Sequence, residues 1–174
     1  MTRQRPPRSV LLLVLTVVGA CAHRVSDGPT SSVAGVLAAN ATVVRAVDGD
    51  TVDVRIGRKR ERVRLIGVNT PETVDPRRPV ECFGPEAKEA TKHLLPPGTP
   101  IRLERDIEPR DDYGRLLVYV YRATDGRFVN LDLVERGLAV PLRIAPNTAH
   151  AAAFAAAARS AESASLGLWS ACPR

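Results

Sequence analysis

Residues 41–65 read ATVVRAVDGDTVDVRIGRKRERVRL, and the alternation within that stretch decides the fold class. Val52, Val54 and Ile56 alternate with Thr51, Asp53 and Arg55, and Val63 and Leu65 alternate with Arg62 and Arg64. Successive side chains of a strand point to opposite faces, so each run predicts a strand with one buried face. Asp48-Gly49-Asp50 and Gly57-Arg58-Lys59-Arg60 supply turn chemistry, and residues 41–47 are extended and β-branched ahead of the first turn. Two more strands are expected over residues 101–104 and 116–121. Five short strands in one domain predict a mainly β fold, a small closed barrel.

Helices interrupt the series. Pro85 suits a first helical position, and Ala87, Ala90, Thr91 and Leu94 share a face before Pro96-Pro97-Gly98 stops the element. A short helix is expected over residues 130–136, closed by Gly137. After Pro146, Asn147 or Thr148 is placed to cap an alanine-rich helix running to about Ser165, with Gly167 behind it.

The chain has 174 residues, 25 Lys+Arg against 19 Asp+Glu, a net charge of +6 and 44% hydrophobic residues. That composition excludes a wholly disordered, collagen-like or polytopic membrane chain. Arg3, Arg5 and Arg8 precede an uncharged apolar run from Val10 to Val18, less than half of the roughly 20 residues that a membrane-spanning helix needs. The pattern is that of an export signal over residues 1–20. Val18-Gly19-Ala20-Cys21 resembles a bacterial lipobox, which would make Cys21 the lipidated first residue of a protein anchored to the cell envelope and facing away from the cytoplasm. Ordinary secretory cleavage near Ala20 or Ala22 is the alternative. Residues 21–40, rich in Ser, Ala, Gly and Val, read as a flexible tether, and residues 41–171 as the folded domain. In an oxidising compartment the other two cysteines, Cys82 and Cys172, are expected to pair and pin the C-terminus, two unlinked thiols being the alternative.

Three polar clusters carry the chemistry: Asp48-Gly49-Asp50-Thr51, the run Arg64-Leu65-Ile66-Gly67-Val68-Asn69-Thr70-Pro71-Glu72, and Asp111-Asp112-Tyr113-Gly114-Arg115. Together they resemble the staphylococcal nuclease (thermonuclease) family, and the likeness continues through Phe83-Gly84-Pro85-Glu86-Ala87, Val129-Asn130, Gly137-Leu138-Ala139 and Leu168-Trp169. The resemblance implies an OB-fold, a five-stranded barrel with three helices, that hydrolyses DNA and RNA with Ca²⁺ and leaves 3′-phosphate ends. It implies Asp50, Asn69 and the Thr70 carbonyl as oxygen ligands, which suits a hard cation. It implies Glu72 as the base that deprotonates the attacking water, with Arg64 and Arg115 holding the phosphate in planar forks. Each residue alone has a plainer reading: Asp48 and Asp50 in a hairpin turn, Arg64 as a solvated strand residue, Glu72 opening a loop, Arg115 paired with Asp111 or Asp112.

Two departures from the family pattern matter. Asn69 stands where the best-known member has an aspartate, which keeps an oxygen but removes a charge. Residues 140–145 read Val-Pro-Leu-Arg-Ile-Ala where that member has tyrosines beside the nucleotide, so Arg143 is the candidate to replace their stacking and Tyr113 is expected to keep one contact. A raised Michaelis constant follows. Residues 73–81, with Arg77 and Arg78, resemble the loop that covers the family's substrate; a basic clamp and a solvated loop are both open readings. His23, His93 and His150 fit no metal or general-base spacing. A monomer is expected. The rival reading is a non-catalytic nucleic-acid-binding OB-fold lipoprotein, which has no need of Asp50, Arg64, Glu72 and Arg115 together.

Overall fold

The computed structural model describes residues 37–173. The predicted export signal, Cys21 and most of the predicted tether lie outside the described residues. Five strands, β1 (Ala41–Asp48), β2 (Thr51–Ile56), β3 (Lys59–Leu65), β5 (Pro100–Glu104) and β6 (Leu116–Arg122), close into a barrel in the order β1-β2-β3-β6-β5. Val52, Val54, Val63 and Leu65 are fully buried as their period predicts, joined by Ile101 and Val120, but Ile56 at the end of β2 is exposed. Thr51 and Asp53 on the opposite face of β2 are buried as well, covered by Arg64, Arg62, Arg60 and Arg45 from the neighbouring strands. β3 and β6 pair in parallel, and β1 meets β5 through Ala41 opposite Ile101. The barrel is the expected OB-fold. A short ladder between β4 (Val68–Asn69) and β7 (Val140–Pro141) lies outside it.

Helix α1 (Gly84–Leu94) buries Gly84, Ala87, Thr91 and Leu94, leaving Ala90 only half-buried. Helix α2 (Val129–Glu135) ends as predicted, with Gly137 at φ 65° and the Leu138 N–H donating to the Leu133 carbonyl. Helix α3 (Ala151–Ser163) begins later than the capping pattern predicts. Asn147 is not its cap, because its amide is spent on the backbone of Glu108, accepting from the N–H at 2.8 Å and donating to the carbonyl at 2.9 Å. A fourth helix, α4 (Leu168–Ala171), is too short to show a helical period in the sequence. Among the described residues no helix is long and apolar enough to cross a membrane.

Folded structure begins before Ala41, which shortens the predicted tether. The Leu37 and Asn40 N–H groups donate to the carbonyls of Ala123 and Ile101, and the Asn40 amide bonds both backbone groups of Leu103. The predicted Cys82–Cys172 disulfide is present, linking residues 90 apart with an S–S distance of 2.09 Å. It fastens the C-terminus to the segment just ahead of α1.

Two glycines are required by close approach. A Cβ on Gly49 would lie 2.6 Å from Thr70 Oγ1, so glycine lets the Asp48–Asp50 turn rest directly on the β4 exit. At Gly67, where φ is +80°, a Cβ would fall 2.2 Å from the ring of the fully buried Phe154.

Buried polar groups fix the pieces that carry the cleft described below. Asn130, fully buried, accepts from the Val120 N–H at 2.9 Å and donates to the Ile66 carbonyl at 2.9 Å, joining α2, β6 and the β3–β4 turn. Thr91 donates its hydroxyl to the Gly49 carbonyl at 2.6 Å, tying α1 to the β1–β2 turn. Asn130→Ala leaves a strand N–H and a turn carbonyl without partners inside the core. A loss of about 2–3 kcal/mol is expected, read as a lower urea midpoint at unchanged m; a loss below about 0.5 kcal/mol would show that water replaces the amide.

Candidate active site

Barrel register brings the three polar clusters together. Asp50 ends the tight turn between β1 and β2, and Thr51, the next residue, lies opposite Arg64 on β3. Asp50 Oδ2 accepts the Thr70 N–H at 2.9 Å and forms an ion pair with Arg64 Nη2 at 3.0 Å, while Oδ1 accepts the Thr51 hydroxyl. Arg64 Nη1 donates to the carbonyls of Leu65 and Val68, and Nη2 also reaches Asn69 Oδ1 at 3.2 Å. The guanidinium is thus anchored by one arm and presented by the other. Burial pushes it down from its ordinary range, with Asp50 opposing and Arg115 adding to the effect.

Glu72 sits at the head of a tight loop. Its Oε1 accepts three successive N–H groups, from Thr73, Val74 and Asp75, at 2.8, 2.6 and 3.1 Å. Glu81 clamps the loop from the other end: its Oε2 accepts the Glu72 N–H, and its own N–H donates to the Glu72 carbonyl. Asp48 accepts the Thr73 hydroxyl at 2.6 Å and faces Glu72. Burial pushes the Asp48 carboxyl up, and the neighbouring Glu72 adds to this, while the Thr73 hydroxyl and Gly49 N–H oppose it. Burial also pushes Glu72 up, but the N–H groups of Val74, Asp75 and Thr73 and its contact with Asp48 outweigh it and hold the carboxyl below the usual range. Of these two facing carboxyls, Glu72 carries the charge more readily.

Arg115 leaves the turn before β6. Asp111 accepts its Nε at 2.7 Å and its backbone N–H at 2.9 Å, and its Cζ lies 5.4 Å from the centre of the Tyr113 ring. The plain pairing of Arg115 with Asp111 is therefore real, and it orients the side chain without using the two Nη groups.

Asp48, Asp50, Arg64, Asn69, Thr70, Glu72, Arg77, Arg78, Tyr113 and Arg115 line one cleft of about 540 Å³. Nine of the ten residues predicted for metal, catalysis and substrate lie there; Arg143 does not. β7 pairs with β4, and the chain beyond it puts Arg143 into a separate small cavity with Gly67 and Phe154. Leu142, which also borders that cavity, and Ile144 line a partly apolar groove that adjoins the cleft through Arg64, Tyr113 and Arg115. Arg77 and Arg78 are paired inside their own loop, with Asp75 and Glu81. Asp48, Thr73, Glu81 and Asp111 support the cleft side chains. Nothing local marks the clamp by Glu81, because it depends on the loop folding back nine residues later.

The oxygens suit a hard cation. Asp50 Oδ2 and Asn69 Oδ1 converge on a single positive nitrogen, Arg64 Nη2, and the neighbouring Thr70 hydroxyl is buried without a hydrogen-bond partner. Among the described residues no group of three or more His, Cys, Asp or Glu is arranged to hold a metal ion. One carboxylate, one amide and a backbone oxygen would make a low-charge site for such a cation, with positions left for water and phosphate oxygen.

A family model described as "Staphylococcal nuclease homologue" matches residues 62–171. The chain is 37% identical over 162 residues to a thermonuclease of Staphylococcus intermedius, an alignment covering 92% of this chain and 95% of that protein. It is 34% identical to the thermonuclease of Staphylococcus hyicus over 92% of this chain and 95% of the relative. Endonuclease YncB of Bacillus subtilis is 41% identical over 133 residues, covering 75% of this chain and 62% of that protein. Barrel, cleft and relatives agree: the chain belongs to the staphylococcal nuclease family.

Proposed function

We propose that this chain is a Ca²⁺-dependent nuclease that hydrolyses phosphodiester bonds of DNA and RNA with little sequence preference, leaving 3′-phosphate ends. The carrying observation is that Glu72, Arg64, Arg115, Asp50 and Asn69 border one cleft. Family membership supports a nuclease activity; the metal, the substrates, the products and the residue roles are those that the resemblance implies, and the chemistry of the cleft side chains fits them. Asp50, Asn69 and the Thr70 carbonyl would hold Ca²⁺, which when bound supplies positive charge against that of the phosphate. Arg115, held by Asp111 through Nε, offers both Nη groups to two phosphate oxygens. Arg64 offers the Nη2 that now rests on Asp50 and Asn69. Glu72 takes the proton of the attacking water, its geometry fixed by the three N–H groups on Oε1. The base next to the cleaved ester would lie in the groove beside Tyr113 and Ile144.

Export with a lipid anchor at Cys21, and a monomeric state, belong to this proposal and rest on the leader pattern and on the single domain. Growth with a labelled fatty acid tests the anchor. The activity is tested with a soluble form beginning at Ala22: release of acid-soluble fragments from denatured DNA and from RNA with Ca²⁺, none with chelator, and 3′-phosphate termini on the products. Binding without cutting in Ca²⁺ would favour the non-catalytic rival.

Asn69→Asp restores a charge beside the cation. The Ca²⁺ concentration for half-maximal rate is expected to fall about tenfold, or ~1.4 kcal/mol, after the new carboxylate's stronger hold on Arg64 is offset. An unchanged Ca²⁺ requirement would remove Asn69 from the ligand set.

A further inference from the structure

The outer face of β1, β2 and β3 carries an arrangement that the proposed chemistry does not use. Asp53, on β2, is buried, with 4% of its side chain exposed, and accepts hydrogen bonds from three arginines. Arg45 Nε reaches it at 3.0 Å, Arg60 Nη2 at 2.7 Å and Arg62 Nε at 2.9 Å. The cause is register: Arg45 and Arg62 are the cross-strand partners of Asp53 on its two sides, and Arg60 lies two residues along β3 from Arg62. One carboxylate among three guanidiniums leaves an excess of two positive charges. The arginines remain about half exposed, at 58%, 52% and 48%. Neutralising Asp53 needs one arginine; the other two are ordered beyond that need.

This cluster borders a shallow groove that Arg62, Tyr113 and Arg115 share with the cleft. Along β3 the residues Arg60, Arg62 and Arg64 point to one side, about 7 Å apart at two residues per repeat, close to the spacing of successive phosphates in an extended strand. Arg64 is already at the cleft, so Arg62 and Arg60 follow in line from it. Tyr113, 85% exposed, lies where the two depressions meet and offers a ring for a base.

We propose that Arg45, Arg60 and Arg62, ordered on Asp53, form a second polynucleotide-binding surface that holds the phosphates of the strand beyond the cleaved ester. This rests on the nuclease reading for what occupies the cleft. Asp53 is the organiser: it fixes three flexible side chains in advance, so the strand does not have to order them on binding. Nucleic acid is preferred over an acidic protein because the surface continues from the cleft at phosphate spacing.

The test compares the Ala22 form unaltered with Arg45→Gln, Arg60→Gln, the double variant, and Arg159→Gln on α3, which borders neither depression. Arg62 is kept so that Asp53 stays paired and the fold is preserved. Affinity for octathymidylate and dithymidylate is measured by fluorescence anisotropy in chelator over a range of salt, and KM and kcat on denatured DNA are measured in Ca²⁺. The double variant is expected to bind octathymidylate roughly tenfold more weakly at 0.05 M salt. Its salt slope should be lower by about 1.4, from about 0.7 per lost phosphate contact. Dithymidylate affinity and kcat are expected to stay within about twofold, since neither needs the outer phosphates. Octathymidylate affinity and slope equal to those of Arg159→Gln would overturn the surface, as would an unaltered chain that binds octathymidylate no better than dithymidylate. If nothing is cut but the length-dependent loss appears, the nuclease reading fails and the surface stands. If cutting persists with no change in octathymidylate binding, the surface fails and the nuclease stands.

Discussion

Glu72→Gln lowers kcat on denatured DNA by about 10³-fold, within the range that a positioned general base contributes, and leaves oligonucleotide affinity in chelator within about twofold. Glutamine keeps the length of the side chain and a carbonyl oxygen for the N–H groups of Thr73, Val74 and Asp75, so the loop stays folded. What it removes is the ability to accept a proton from water. Asp48 does not replace it, because its carboxylate is held by the Thr73 hydroxyl at 2.6 Å on the far side of that loop head. Alanine would be a poorer test: it strips all three N–H groups of their acceptor and loosens the loop, mixing geometry with chemistry. The measurement is initial rate at saturating Ca²⁺ and DNA, with thermal unfolding to confirm an intact fold. A kcat within tenfold of the unaltered chain would take Glu72 out of the role of base.

Removing the Cys82–Cys172 bridge is expected to cost about 4 kcal/mol of stability, since the bridge closes a chain loop of 90 residues and loop-closure entropy grows with length. Against a total of roughly 5–15 kcal/mol for a domain of this kind, that is a large share. Cys82 directly follows Glu81, whose carboxylate and N–H hold Glu72, so the same change loosens the base. Urea unfolding of the Cys82→Ser, Cys172→Ser double variant should show a much lower midpoint, with kcat falling and Ca²⁺ requirement little changed. Equal midpoints for the bridged and unbridged chains would mean that the C-terminus is held by packing around α4 alone.

Most of the barrel was legible because its signals are local. Valines at every second position of β2 need only their own strand to declare a buried face, and Gly57, Pro85 and Gly137 mark ends through their own backbone preferences. The boundaries that slipped did so where a polar side chain had more than one use. Asn147 has the chemistry of a helix cap, but the Glu108 backbone competes for its amide and wins. Asn40 looks like linker, yet its side-chain amide bonds both backbone groups of Leu103 and prolongs the pairing of β1 with β5.

By itself the sequence determined the alternation, the turns, the cysteine pair and the residue types of the cleft, because each depends on neighbours within a few positions or on composition. Only the closed barrel decided which of them meet. The parallel pairing of β3 with β6 sets Arg64 and Arg115 beside one another although 51 positions separate them. The antiparallel register of β1, β2 and β3 gathers three arginines on Asp53, and the β4–β7 ladder outside the barrel sends Arg143 away from the cleft. Side-chain direction at long range follows from strand register and sheet twist, which no short window of residues encodes.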